Sequence, residues 1–136
     1  MQLRANQALE LWRRTIAEYV RRDLPDLSTR QMAILLIVYT QPAPHTVRGL
    51  ARQLGISKPA VTRAIDRLGA LDFVRRKTDE EDRRSVLVQR TVKGAVFLSD
   101  YADLIGIAAQ DAVPEEPKPT PTTRDAGSAA SDGETG

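Results

Sequence analysis

The sequence predicts a mainly α-helical fold with a small β component, an α+β domain. Three observations predict it. Within residues 46–91, apolar residues fall as Leu50-Ala51, Leu54-Gly55-Ile56, and then Val61, Ile65 and Leu68. Two short helices crossing near a right angle need this spacing: the apolar positions bury their seam, and a glycine turns the corner. Next comes a charged run, Arg75-Arg76-Lys77-Thr78-Asp79-Glu80-Glu81-Asp82-Arg83-Arg84, which leads into an alternating strand. On either side, residues 3–24 and 91–112 carry apolar residues at helical spacing. These patterns describe a winged helix-turn-helix at 46–91, carried by N- and C-terminal helices and followed by a tail.

The elements follow in order. Residues 3–22 place Leu9, Trp12, Ile16, Tyr19 and Val20 near one helical face, and Pro25 ends the segment. Trp12 reads as a core or interface anchor; the other reading is a ring that stacks on a ligand. Ser28 with Gln31 three residues on forms a capping box, predicting a helix to Tyr39 or Thr40. Its centre, Ala33–Val38, is apolar all round, so it should be buried on several sides. Gln41-Pro42-Ala43-Pro44-His45 breaks the pattern, and His45 reads as a surface residue.

Thr46 can cap the next helix, with Val47, Leu50, Ala51 and Leu54 inward and Gly55 as the turn. Ser57 caps the helix after it, and Pro59 sits in the first turn, where a missing N–H costs little. Val61, Ala64, Ile65, Leu68 and Leu71 face inward; Lys58, Pro59, Thr62, Arg63, Asp66 and Arg67 face outward. Cations mixed with short hydroxyl and apolar groups suit base edges and phosphates. Phe73–Lys77 and Ser85–Gln89 read as strands, and the loop 78–84 between them is too long and polar for a tight hairpin, so it projects as a wing. Thr91 caps a last helix to about Ala112. Its apolar positions (Val92, Val96, Phe97, Leu98, Tyr101, Leu104, Ile105, Ile107) cover more than one stripe, which points to a second subunit. Residues 1–113 form one domain. Residues 114–136 hold four of the eight prolines and no large apolar residue, and are expected to be disordered.

Composition narrows the function classes. The net charge of +2 hides an asymmetry. Residues 48–90 hold eleven Lys/Arg against six Asp/Glu, a net of +5; residues 114–136 hold two against five, a net of −3. A basic module implies a polyanionic partner. Cysteine is absent, which excludes disulfides and thiolate metal sites. The longest apolar run, Met32–Tyr39, falls far short of the roughly 20 residues of a membrane span, and a cytoplasmic protein is expected. No glycine-rich phosphate loop, HExxH or cysteine–histidine pair suggests an enzyme or a cofactor. The acidic run 79–82 lacks the alternating spacing of a cation site and reads as a salt-bridged wing.

The order of helices, the wing Asp79-Glu80-Glu81-Asp82-Arg83-Arg84-Ser85 and the following Thr91-x-x-Gly94 resemble the MarR (multiple antibiotic resistance regulator) family of bacterial transcription factors over about residues 5–110. The resemblance implies a homodimer on double-stranded DNA. The helix at 57–71 would enter the major groove, Arg84 would insert into the flanking minor groove, and Asp82 would orient it. It also implies a small aromatic or anionic effector between the dimer region and the winged helix. The expected DNA-contacting residues are Ser57, Lys58, Pro59, Thr62, Arg63, Arg67, Arg75, Arg76, Asp82, Arg83 and Arg84. Lys58, Thr62 and Arg63 are expected on base edges or adjacent phosphates, and Arg67, Arg75, Arg76 and Arg83 on phosphates. Arg90 departs from the pattern, since the family usually has an apolar residue there. A helical pattern that stops near Ala112 implies a dimer interface that differs from the usual one or is smaller. The function expected is a sequence-specific regulator, most simply a dimeric repressor on a pseudo-palindromic operator. The alternative is a winged-helix assembly module with only non-specific DNA affinity.

Overall fold

The structure is a computed structural model and describes residues 2–113; the expected disordered tail at 114–136 lies outside the described residues. Five helices and one antiparallel hairpin follow in the order α1 (Ala5–Arg21), α2 (Thr29–Thr40), α3 (Val47–Leu54), α4 (Lys58–Ala70), β1 (Val74–Thr78), β2 (Val86–Arg90) and α5 (Val92–Ala112). The helix starts match the capping residues. The side chains of Ser28, Thr46, Ser57 and Thr91 each accept from the backbone N–H three residues on. Gly55 closes α3 at φ 66°, where a side chain would be strained. None of the described helices is long and apolar enough to cross a membrane.

Both strands start one residue later than expected. Phe73 belongs to the turn out of α4, because its N–H donates to the Leu68 carbonyl at 2.9 Å and its own carbonyl accepts from Tyr39 Oη at 2.7 Å. Ser85 belongs to the wing, its N–H bonded to the Asp82 carbonyl at 2.9 Å. In the hairpin Val74 pairs with Arg90, Arg76 with Val88 and Thr78 with Val86. The free edge of β2 takes a bridge from Thr46 to Leu87, which ties the wing to the start of α3.

Two cores stack along the molecule. The larger joins Ile34, Leu35 and Val38 of α2 to Leu50 of α3, to Val61, Ile65 and Leu68 of α4, and to Phe73, Val74 and Val88 of the hairpin. The smaller joins Tyr19 of α1 to Tyr101 and Leu104 of α5. Phe97 belongs to both, stacked on Phe73 at 4.3 Å between centroids and edge-on to Tyr19 at 6.3 Å. Aromatic pairs of this kind add roughly 0.5–1.5 kcal/mol beyond area burial, so this ring ties the reading unit to the outer helices. Tyr19 also donates its hydroxyl to the Pro25 carbonyl. Burial first, then Tyr101 and Asp26, push that hydroxyl up to about 12, so it remains a donor across the physiological range.

One expectation about a buried face is corrected, on α2. On α1, only Tyr19 of the apolar face is buried, together with Thr15, whose Oγ1 donates to the Leu11 carbonyl. Leu9, Trp12, Ile16 and Val20 face outward, because α5 packs on the adjacent side of the helix. The centre of α2 is not covered all round: Leu36 is exposed beside that same α1 face.

Arg90 acts on the end of α2. Its Nε donates to the Val38 carbonyl at 2.7 Å and its Nη2 to the Gln41 carbonyl at 3.1 Å, while its guanidinium lies 5.7 Å from the Tyr39 ring centroid. The last turn of α2 has no basic residue of its own, so β2 supplies the cation that the helix C-terminus favours. Arg90→Ala, and equally Arg90→Leu, should cost about 1–2 kcal/mol by stripping these carbonyls of a charged donor. Urea unfolding should show the midpoint falling with an unchanged slope; an unchanged midpoint would contradict the capping role.

Candidate nucleic-acid interface

The expected outer face of α4 forms as an exposed surface. Ala60, Val61, Ala64, Ile65 and Leu68 are buried, so the helix is held with Lys58, Pro59, Thr62, Arg63, Asp66 and Arg67 in solvent. Ser57 sits at its cap and accepts from Ala60 N–H at 3.2 Å. A helix fixed by one buried face and free on the other can enter a groove as a rigid body.

The wing is an ordered turn. Asp82 organises it: one carboxylate oxygen accepts from the Arg84 N–H at 3.1 Å and lies 3.5 Å from Arg84 Nε, and the other accepts from Ser85 Oγ at 3.3 Å. Asp79 Oδ1 accepts from the Glu81 N–H at 3.0 Å. Two of the four acids at 79–82 are thus spent on the turn, and among the described residues no group of three His, Asp or Glu is placed to hold a metal. The Arg84 side chain remains 89% exposed despite its partner, so it projects from the wing into solvent. Arg75 and Arg83 are exposed as well.

Arg76 has a different setting. It forms an ion pair with Asp66 of α4, and its Nη2 also donates to the Thr62 carbonyl at 3.2 Å. The pair joins the root of the wing to the middle of α4, and it neutralises the one carboxylate on the outer face of that helix.

Two cations missed in the sequence reading join this surface. Arg30, in the first turn of α2, lines a shallow groove with Arg63. Arg48, in the first turn of α3, lines a cleft with Lys58, Thr62 and Arg84. A signal was present. Helix N-termini disfavour cations, yet α2, α3 and α4 each begin with one and have no acid in the first turn.

Trp12, Ile16 and Tyr19 of α1, Met32 and Leu36 of α2, and Tyr101 of α5 line an apolar cleft of about 420 Å³.

Residues 27–86, which contain α2, the helix-turn-helix and most of the wing, match the model of the MarR family. That stretch is similar to the MarR family. An uncharacterised HTH-type transcriptional regulator of Bacillus subtilis, YfiV, is 39% identical over 66 residues. That match takes in 48% of this chain and 41% of YfiV, so it spans well under half of the relative. Among solved structures, YusO of Bacillus subtilis superposes with a TM-score of 0.67 at 16% identity, covering 96% of this chain and 90% of that one. A mutant of MarR from E. coli, complexed with operator DNA, superposes with a TM-score of 0.60 at 27% identity, covering 78% of this chain and 74% of that one. The fold is the winged helix-turn-helix of solved transcriptional regulators, MarR among them.

Proposed function

We propose that this protein is a MarR-family regulator, a sequence-specific DNA-binding repressor that acts as a homodimer on a pseudo-palindromic operator. The observation that carries the reading is the pairing of a cationic outer face on α4 with a wing that exposes Arg84 beside Asp82. One fits a major groove; the other fits a narrow minor groove, where negative potential attracts arginine. The DNA complex of the E. coli MarR mutant supports it by fold and by its 27% identity.

The homodimer reading rests on Leu9, Trp12, Ile16 and Val20 of α1 and on Val92, Val96, Ile105 and Ile107 of α5, all exposed in the single chain. Two-fold pairing through these helices would set two α4 helices about 34–36 Å apart, one turn of DNA. The apolar cleft beside Trp12 supports a small aromatic effector, since such pockets are lined by apolar and aromatic groups. Trp12 is the only tryptophan and reports on that cleft directly. Titration with small aromatic carboxylates should quench it and weaken operator binding in parallel.

The central test begins by selecting operators from a random duplex library. The Arg84→Ala variant should then bind the selected operator about 1–3 kcal/mol more weakly at fixed salt, the worth of a good groove contact. The loss should concentrate on sites that differ in the base pairs flanking the α4 half-site. Wild-type affinity in this variant would remove the minor-groove role, and a wild-type protein that selects no sequence would remove the repressor reading.

A further inference from the structure

Between the outer edge of β2 and the linker from α2 to α3 lies a slot of about 490 Å³. It shares no residue with the apolar cleft beside Trp12 or with the cleft beneath Arg84. Its walls are aliphatic: Pro42, Ala43 and Pro44 on the linker, Leu87 and Val88 on the strand. Its polar groups come from His45, Gln89 and Arg90, and no carboxylate lines it. Among the described residues Arg90 has no ion pair. Its Nε and Nη2 reach the carbonyls of Val38 and Gln41, and its Nη1 bonds nothing there. The Arg90 N–H is unpaired as well. Val88 N–H donates away from β1, to the His45 carbonyl at 2.8 Å, and residues two apart on a strand turn their backbone groups the same way. Arg90 N–H therefore points to the linker side of β2, where no described residue accepts from it. An aliphatic slot thus holds one unpaired cation and one unpaired backbone donor, both from the same residue.

We infer that this slot binds a small aliphatic carboxylate. The carboxylate accepts charge-assisted bonds from the Arg90 guanidinium and a further bond from the Arg90 N–H. The alkyl body lies against the prolines and Leu87. The volume falls within the roughly 300–1,000 Å³ of small-molecule pockets, and apolar walls with a few placed polar groups are what such pockets have. Apart from the His45 imidazole no aromatic ring lines the slot, so its walls favour an alkyl chain, whereas the cleft beside Trp12 presents indole and phenol rings. The cation is also particular to this chain, because Arg90 stands where the sequence departs from the family pattern it resembles. An occupant touches the linker that leads into α3 and the strand that ends the wing. It therefore braces the joint between α2 and the reading unit, and binding only the folded state stabilises that state by mass action.

The test uses His45, which is the only histidine and lines the slot, so its imidazole NMR signals report on the slot alone. Hexanoate added to the full chain at fixed pH should shift these signals saturably and raise the melting temperature. Acetate lacks the alkyl body and hexanol lacks the charge, so each should bind at least about tenfold more weakly. Ala43 is exposed and lines the slot. Ala43→Asp sets a carboxylate there that competes for Arg90, and it should weaken hexanoate by about tenfold. Ala43→Asn, of the same size but uncharged, should bind hexanoate as the wild type does. A His45 signal that hexanoate does not move overturns the site, and Trp12 quenching without that shift places the carboxylate in the other cleft. Equal binding of hexanol and hexanoate overturns the recognition of the anion. So does an Ala43→Asp variant that binds as tightly as the wild type, or an equal loss in the Asp and Asn variants, since charge would then decide nothing.

Discussion

Gly94→Ala should unfold the protein more readily than any other single-methyl addition on its surface helices. A Cβ built at Gly94 overlaps the Tyr39 hydroxyl and the Phe73 carbonyl, and lies 2.8 Å from Tyr39 Cζ. None of these can move freely. Tyr39 Oη donates to the Phe73 carbonyl at 2.7 Å, lies 3.1 Å from the Thr91 carbonyl, and accepts from the Thr91 N–H at 2.8 Å. Thr91 is itself fixed, its Oγ1 donating to the Asp72 carbonyl at 2.7 Å and accepting from Gly94 N–H at 2.9 Å. The added methyl must therefore push α5 away from α2 or break this set of bonds. Overpacking of this kind costs about 3 kcal/mol. For a domain of this size that lowers the melting temperature by roughly 12 °C. Tyr39→Phe alone should also destabilise, because the Thr91 N–H loses its acceptor. In the Gly94→Ala background it should cost less, because it removes the atom in collision. A thermal-melt double-mutant cycle reads the difference; additive losses would mean that the methyl is accommodated elsewhere.

This junction shows what the sequence could and could not carry. Thr91-x-x-Gly94 was legible as a motif, and Thr91 as a helix cap, because both are local patterns. The need for glycine was not legible, since it comes from Tyr39, which lies fifty-five positions earlier in the chain. The same division holds elsewhere. The caps at Ser28, Thr46, Ser57 and Thr91 and the glycine turn at Gly55 are short-range chemistry, and each falls where the sequence places it. The strands start one residue after Phe73 and Ser85, because a tertiary bond from Tyr39 holds the first in a turn and a local bond to Asp82 holds the second in the wing. Arg90 was visible as a departure from the family pattern, but its partners are the carbonyls that end α2. At the interface, the outer face of α4 followed from helical periodicity alone. Arg48 and Arg30 did not, because they reach the same surface only once α2 and α3 are packed on α4. The partner of Arg76 was hidden for the same reason: Asp66 lies ten residues away on another element.

A Leu9→Glu, Val20→Glu double variant should abolish both dimer and tight operator binding while leaving the protomer folded. The two side chains are 71% and 69% exposed in the single chain, so the charges cost the isolated fold little. Glutamate is also a better helix former than valine and nearly as good as leucine, so α1 itself should persist. In a two-fold assembly through α1 and α5 the picture reverses. Each substitution then places carboxylates in a desolvated seam, and symmetry doubles the number. Sedimentation equilibrium should move from a dimer to the 15.0 kDa chain, with circular dichroism and melting temperature near those of the monomer fold. The DNA consequence is larger than the protein one. Each protomer carries one α4 and one wing, and a dimer binds the second half-site as an intramolecular event. Losing that linkage lowers affinity by about 10²–10⁴-fold without touching a single DNA contact. The salt slope should fall to about half the wild-type value, because one protomer displaces half the counterions. That signature separates this variant from Arg84→Ala, which weakens a groove contact and leaves the dimer intact. A double variant that remains dimeric would place the interface away from this face of α1. A variant that is monomeric yet binds the operator with full affinity would mean that one winged helix suffices, and the pseudo-palindrome would lose its physical basis.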